Sequence, residues 1–268
     1  MIRAVLPVAG LGTRFLPVTR SVPKELLPVF DRPCVEFAVL EALEAGIEEL
    51  IFVTAAGKEA LVDHFRRGSL VEARLERAGR SDAVEEVRQL ASRATVIAVQ
   101  QDHPRGLGHA VWTAAPLTGD DAFAVLLPDN ILDCPTPAIG QLLAVHEETG
   151  GAVVGIEEVP THRTHHYGVC EGTWDQGVLH VERVVEKPAP GTSTGRHVFV
   201  GRYVLPSRTH DLLRHTEAGA QGEVQLSDAL GCLAAVFSPW RAAGRSSARH
   251  GHPLGAPRCH PPPGSEAP

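Results

Sequence analysis

The chain has almost no lysine. Of its 25 basic residues only Lys24, Lys58 and Lys187 are lysines. Arginine is the default cation, so a lysine kept against that bias is a candidate for work that a compact point charge does and a planar fork does not. Long apolar runs are also missing. The longest, such as AVLLP at 124–128, fall far short of the ~20 residues a spanning helix needs, which excludes a membrane-embedded class. The start, MIRAVLPVAG, passes straight into a strand pattern, with no secretion-type leader ahead of it. Cys34, Cys134, Cys170, Cys232 and Cys259 are scattered with no CxxC pair. That spacing argues against a disulfide framework or a zinc site and for a reducing, cytoplasmic setting. A formal net charge of −7 excludes a general affinity for nucleic acid, which needs a basic face.

What is present is globular: 43% hydrophobic residues and a mean hydropathy of −0.03. Apolar runs at 2–8, 49–54, 94–100, 122–130 and 151–159 read as strands. Helical patterns separate them. The first carries Val35, Ala38, Val39, Ala42 and Leu43 on one side, with Glu41, Glu44 and Glu48 opposite. Two or three charged helices fill 57–91. This alternation predicts a three-layer α/β fold with a mostly parallel sheet. After 160, short strand patterns with Gly and Pro turns (167–172, 177–188, 197–206) predict a smaller mixed lobe beside that sheet, followed by helices at 206–216 and 223–235. One domain over 1–237 is expected. Residues 238–268 hold seven of the 21 prolines, four glycines and a single acid, and read as an irregular or disordered tail.

The chemistry concentrates at PVAGLGTRFLPVTRSVPKELLPV, residues 7–29. A strand leading into AGLGTR puts glycine backbone at the carboxyl edge of the sheet, where open α/β proteins bind ligands. Glycines let N–H groups approach phosphate oxygens, and Arg14 and Lys24 can neutralise phosphate charge. The dinucleotide fingerprint GxGxxG fails, because Phe15 stands at the third glycine, and no Walker motif is present. Asp129, ending the LLPDN strand, can ligate Mg²⁺ through one oxygen while phosphates and water complete the octahedron; Asp133 is the fallback. Glu186 can accept sugar hydroxyls and Lys187 can reach a phosphate. Gln101 offers a donor and an acceptor to one edge of a pyrimidine, with Gln100 the alternative one position away. His109, one of 14 histidines, reads as a surface or capping residue, and no Ser-His-Asp or Cys-His set stands out.

The first of these motifs, GLGTRFLPVTRSVPKELLPV, resembles the N-terminal signature of the sugar-1-phosphate nucleotidyltransferases, G-x-G-T-R-x-x-P-x-T…P-K. Further stretches (AGIEELIFVT, GLGHAV, LPDNIL, VVEKP, VGRYVL and GEVQLSDAL) are similar to the branch that uses UTP and glucose-1-phosphate, over roughly 1–235. The resemblance implies a Rossmann-like nucleotide-diphospho-sugar transferase fold. It also implies transfer from UTP to glucose-1-phosphate with release of pyrophosphate, Mg²⁺ as cofactor, and homo-oligomers. It assigns Ala9, Gly10, Leu11, Gly12 and Thr13 to the nucleotide, with Arg14 and Lys24 on the triphosphate. Gln101 and Gly106 go to the uracil, Asp129 to the metal, Gly168, Glu186 and Gly201 to the glucose, and Lys187 to its phosphate. Two alternatives stay open: a thymidylyltransferase of the same fold, and a non-catalytic relative that only binds nucleotide.

Overall fold

A computed structural model describes residues 1–236 and 241–244, apart from 176, 194, 220 and 221. Strand β1 (Arg3–Pro7) is fully inside, and Ala4, Val5 and Leu6 have no exposed surface. Residues of both parities are buried because both faces of the sheet are covered. Val5 joins Ile51, Val53 and Val125 in one core, while Ala4 and Leu6 join Leu50, Phe52, Ala124 and Leu126 in another. The two cores lie on opposite faces of one sheet, which is the three-layer arrangement.

After β1 the chain makes three short 3-10 turns and a small hairpin, β2 (Pro28–Val29) with β3 (Arg32–Pro33). Helix α1 (Cys34–Glu44) follows and buries Val35, Ala38, Val39, Ala42 and Leu43. Strand β4 (Glu49–Thr54) matches its expected bounds. The charged stretch resolves into α2 (Glu59–Asp63), α3 (Leu70–Arg77) and α4 (Ser81–Arg93), and Ser69 and Glu72 form a reciprocal capping box at the start of α3. Then come β5 (Thr95–Gln100), α5 (Leu107–Thr113), α6 (Ala115–Thr118), β6 (Phe123–Leu126), α7 (Ala138–Thr149) and β7 (Val153–Glu158). A hairpin of β8 (Gly168–Asp175) and β9 (Val178–Glu186) precedes β10 (His197–Leu205), and α8 (Thr209–His215), α9 (Leu226–Val236) and β11 (Arg241–Gly244) close the order.

The nine-stranded sheet runs β5-β4-β1-β6-β10-β7-β11-β9-β8. Seven of the nine strands point the same way, and β10 and β9 run against them. The smaller lobe is therefore not a separate layer: β8 and β9 continue the main sheet, and β10 returns between β6 and β7. The LLPDN strand is shorter than its apolar run, since β6 stops at Leu126. Leu127 N–H still donates to Gly201 O at 2.9 Å, one step further along the β10 register, and Pro128, which has no N–H, ends the ladder. The stretch 238–268 contributes one strand, β11, between β7 and β9; that corrects the irregular reading for 241–244, and the remainder of the stretch lies outside the described residues. Cys34, Cys170 and Cys232 are free thiols. No helix among the described residues is long and apolar enough to cross a membrane.

Candidate active site

The carboxyl end of β1 opens into the loop 8–13. Val8 N–H still pairs with Val53 O at 2.8 Å. Beyond it, among the described residues, nothing accepts the N–H groups of Ala9, Gly10, Leu11, Gly12 and Thr13. Successive open N–H groups in a turn form a concavity for an anion. Gly12 sits at φ 65°, and a Cβ there would lie 3.0 Å from Lys24 Cβ and 3.1 Å from Thr19 Cγ2. Side chains rarely adopt that backbone, and the space is filled by the lysine the loop must face. Thr19 Oγ1 donates to Gly12 O at 2.8 Å and fixes the turn. Arg14 projects from the 3-10 turn Thr13–Phe15, exposed and without a partner among the described residues.

Lys24 starts another 3-10 turn, and its Nζ lies 2.7 Å from Asp129 Oδ2. Asp129 follows β6 on the neighbouring strand end, with half its side chain exposed (53%). The phosphate loop and the candidate metal ligand thus meet through one lysine. Asp133 is exposed and outside this cluster.

Gln101, not Gln100, turns inward, with only 5% of its surface exposed. Its Nε2 is 3.4 Å from Gly106 O and 2.7 Å from His109 Nδ1, and Arg105 Nη2 is 2.7 Å from His109 Nε2. A neutral imidazole has one lone pair, and arginine can only donate. Arg105 at Nε2 and the Gln101 amide at Nδ1 share a ring with one lone pair, so the tautomer of His109 and the orientation of the amide are set together. Burial, then Arg105 and His103, push the His109 pKa down, which keeps the ring neutral. The surface or capping reading of His109 is corrected: it orients the Gln101 amide. A cavity of about 390 Å³ opens beside this group, lined by Gln100, Gln101, Arg105, His109 and Trp112.

The second half of the site is a cavity of about 180 Å³ edged by Asn130, Tyr167, Gly168, Glu186, Gly201 and Tyr203. Gly168, Glu186 and Gly201, assigned to one ligand from sequence, are brought together here. Gly201 has φ 75° at the bulge in β10, and a Cβ there would fall 2.6 Å from Asn130 Nδ2. Lys187 adopts φ 42°, its N–H donates to Tyr167 O at 3.0 Å, and its half-exposed Nζ lies 3.8 Å from Glu186 Oε1. A left-handed lysine costs of order 1–3 kcal/mol, and such strain collects at ligand sites.

The family model for nucleotidyl transferases matches residues 3–237. The chain belongs to the nucleotidyl transferase family. Within it, a UTP–glucose-1-phosphate uridylyltransferase of Staphylococcus epidermidis is 44% identical over 85% of this chain and 80% of its own length. That of Bacillus subtilis is 41% identical over 85% and 78%. Among solved structures, a UTP-bound UGPase from Acinetobacter baumannii superposes with a TM-score of 0.83 at 38% identity, covering 92% of this chain and 87% of that one. A UDP-glucose pyrophosphorylase complexed with UDP-glucose gives 0.83 at 33%, covering 91% and 90%. A thymidylyltransferase structure at 19% identity and a TM-score of 0.71 shares the fold alone.

This nucleotidyl transferase also holds site-supporting residues that no motif announced. Arg202 is the largest wholly buried side chain, 1% exposed. It grips Glu41 through Nε and Nη2, at 3.0 and 2.8 Å, and donates to Leu127 O, Gly201 O and Asn130 O at 3.0, 3.1 and 2.8 Å. Glu41 in turn accepts Ile139 N–H at 2.9 Å. One ion pair thereby pins the Asp129 turn to the Gly201 bulge, joining the two halves of the site. An arginine inside an otherwise apolar strand, HVFVGRYVL, was the available signal.

Proposed function

We propose that the chain transfers a uridylyl group from UTP to glucose-1-phosphate, giving UDP-glucose and pyrophosphate. The observation that carries this is the 2.7 Å meeting of Lys24 and Asp129 at the mouth of the open N–H loop, beside a cavity edged by Glu186. The named activities and ligands of the relatives support the same substrates. No nucleophilic side chain is required. The sugar phosphate oxygen attacks the α-phosphorus of UTP, and pyrophosphate leaves in line, so catalysis is positioning and charge neutralisation.

In this reading the N–H groups of 9–13, with Arg14 and Lys24, hold the triphosphate. Gln101 presents its amide to the pyrimidine, with Gly106 alongside. Glu186 accepts glucose hydroxyls, backbone at Gly168 and Gly201 admits the ring, and Lys187 holds the attacking phosphate against the repulsion of the other anion. Asp129 supplies a single exposed carboxylate, and no cluster of three or more His, Cys, Asp or Glu lies among the described residues. That donor set fits Mg²⁺, which is held by one or two carboxylates plus substrate phosphates and water, and not a metal that needs a protein cage. When bound, Mg²⁺ would offset phosphate charge next to Asp129.

The test is pyrophosphate release by the full chain with UTP, glucose-1-phosphate and Mg²⁺, with dTTP in parallel. Turnover with UTP well above dTTP is expected. Asp129→Asn should reduce kcat at least thirtyfold, about 2 kcal/mol of barrier. Binding without turnover or a dTTP preference would overturn the assignment, and an Asp129→Asn rate within about threefold of wild type would overturn the metal role of Asp129.

A further inference from the structure

Lys58 is the one lysine that the reaction scheme above leaves unused. It lies at the start of α2, 7% exposed, and reaches across to the underside of the loop. Its Nζ is 2.6 Å from Val8 O, 2.6 Å from Gly10 O and 2.8 Å from Glu25 Oε2. An ammonium has three protons and no acceptor, so every donor is spent. Glu25 is 2% exposed, and its other oxygen has no partner among the described residues. Glu25 neighbours Lys24 in the chain, so the same 3-10 turn sends one side chain to the mouth of the site and the next beneath it.

We propose that Lys58, held by Glu25, is a positioning residue that turns the Val8 and Gly10 carbonyls inward so that the N–H groups of the loop face the triphosphate. Peptide planes are rigid. Drawing a carbonyl to one side sends the next residue's N–H to the other, so Lys58 on Val8 O and Gly10 O aims the Ala9 and Leu11 N–H groups away from itself. A guanidinium could not serve equally, because its donors lie in one plane and these three acceptors converge on a single point. Burial pushes the Lys58 pKa down, and the hydrogen bond and charge of Glu25 work against that shift. The charge of Lys58 is matched by Glu25, whereas Lys24 faces the loop directly, its Cε 3.7 Å from where a Gly10 Cβ would stand.

The inference rests on the reading that this loop holds the triphosphate of UTP, and its test separates the two. Lys58→Met is combined with Glu25→Gln, so that no unpaired carboxylate stays buried. The full chain is titrated with UTP and with uridine, and KM is measured for UTP and for glucose-1-phosphate. Expected are a UTP Kd and KM at least tenfold higher, with uridine Kd and glucose-1-phosphate KM within about twofold of wild type. A general loosening of the fold would weaken all four together, and that result overturns the inference, as does a folded double variant with wild-type UTP affinity. Wild-type chain that binds uridine and UTP equally would instead defeat the triphosphate reading itself. If the methionine variant does not fold, Lys58→Gln with Glu25→Gln replaces the three ammonium donors by the two of an amide on a shorter stem and is read by the same titrations.

Discussion

Replacing Arg202 with methionine tests whether the two halves of the site are held together by one buried ion pair. The substitution keeps much of the side chain's volume and removes every donor. It strands the Glu41 carboxylate, on a side chain 9% exposed, and three carbonyls at Leu127, Asn130 and Gly201 that now accept from the guanidinium. Breaking one partner out of a buried pair costs about 3–5 kcal/mol. For a chain of this size each kcal/mol moves the melting midpoint by about 2–4 °C, so a drop of roughly 6–20 °C is expected by calorimetry. Arg202→Met combined with Glu41→Met removes the stranded charge and should recover most of that loss. It should not recover kcat, because the turn carrying Asp129 is still unpinned from the Gly201 bulge. A single variant melting within about 3 °C of wild type, or a double variant with wild-type kcat, would refute the reasoning.

Two further outcomes follow from the same geometry. His210 on α8 is 7% exposed, stacks on Phe123 at 4.4 Å and meets Thr118 Oγ1 at 2.8 Å, and burial pushes its pKa from 6.5 down to about 4. Its folded pKa is the lower one, so the unfolded chain takes up the proton first. Stability should therefore fall by about 3 kcal/mol as pH drops from 6.5 to 4, and melting curves of wild type and His210→Leu across that range should show the acid limb shrink in the variant. Lys187→Ala should raise KM for glucose-1-phosphate or lower kcat while leaving UTP affinity unchanged, whereas Lys24→Ala should act on UTP; steady-state kinetics with each substrate varied separates them, and equal effects on UTP alone would contradict the division.

Local patterns carried much of the fold. β4 was legible to the residue because a continuous apolar run between polar neighbours has one solution in a covered parallel sheet. The LLPDN run overshot because Pro128 has no N–H to donate, so the pairing with β10 goes no further than Leu127 and Gly201. How the smaller lobe joins the sheet was not legible because strand patterns carry no address: nothing local tells β10 to return between β6 and β7. The site divides in the same way. Glycines, Lys24 and Asp129 announce themselves by type and spacing. Arg202 and Glu41 are 161 positions apart, Lys58 and Val8 are 50 apart, and pairings of that range are written in the fold and not in any window of sequence. His109 was discounted among many histidines, although its i+4 spacing from Arg105 on the way into α5 was readable.

The central place of β10 bears on how the chain reaches this structure. Ribosomal synthesis delivers β1, β4, β5 and β6 first, strands that pair in parallel as one half of the sheet. Its β6 edge, Phe123–Leu126, is wholly apolar and stays unpaired until residues 202–205 arrive to cover it. Until then β7 lacks the same neighbour. A nascent chain stopped short of residue 197 therefore leaves the β6 edge and both edges of β7 open, a template for pairing with another chain. The strand that carries the Gly201 bulge is thus also the neighbour that β6 and β7 both wait for, so a chain halted just before His197 leaves both of them open at once.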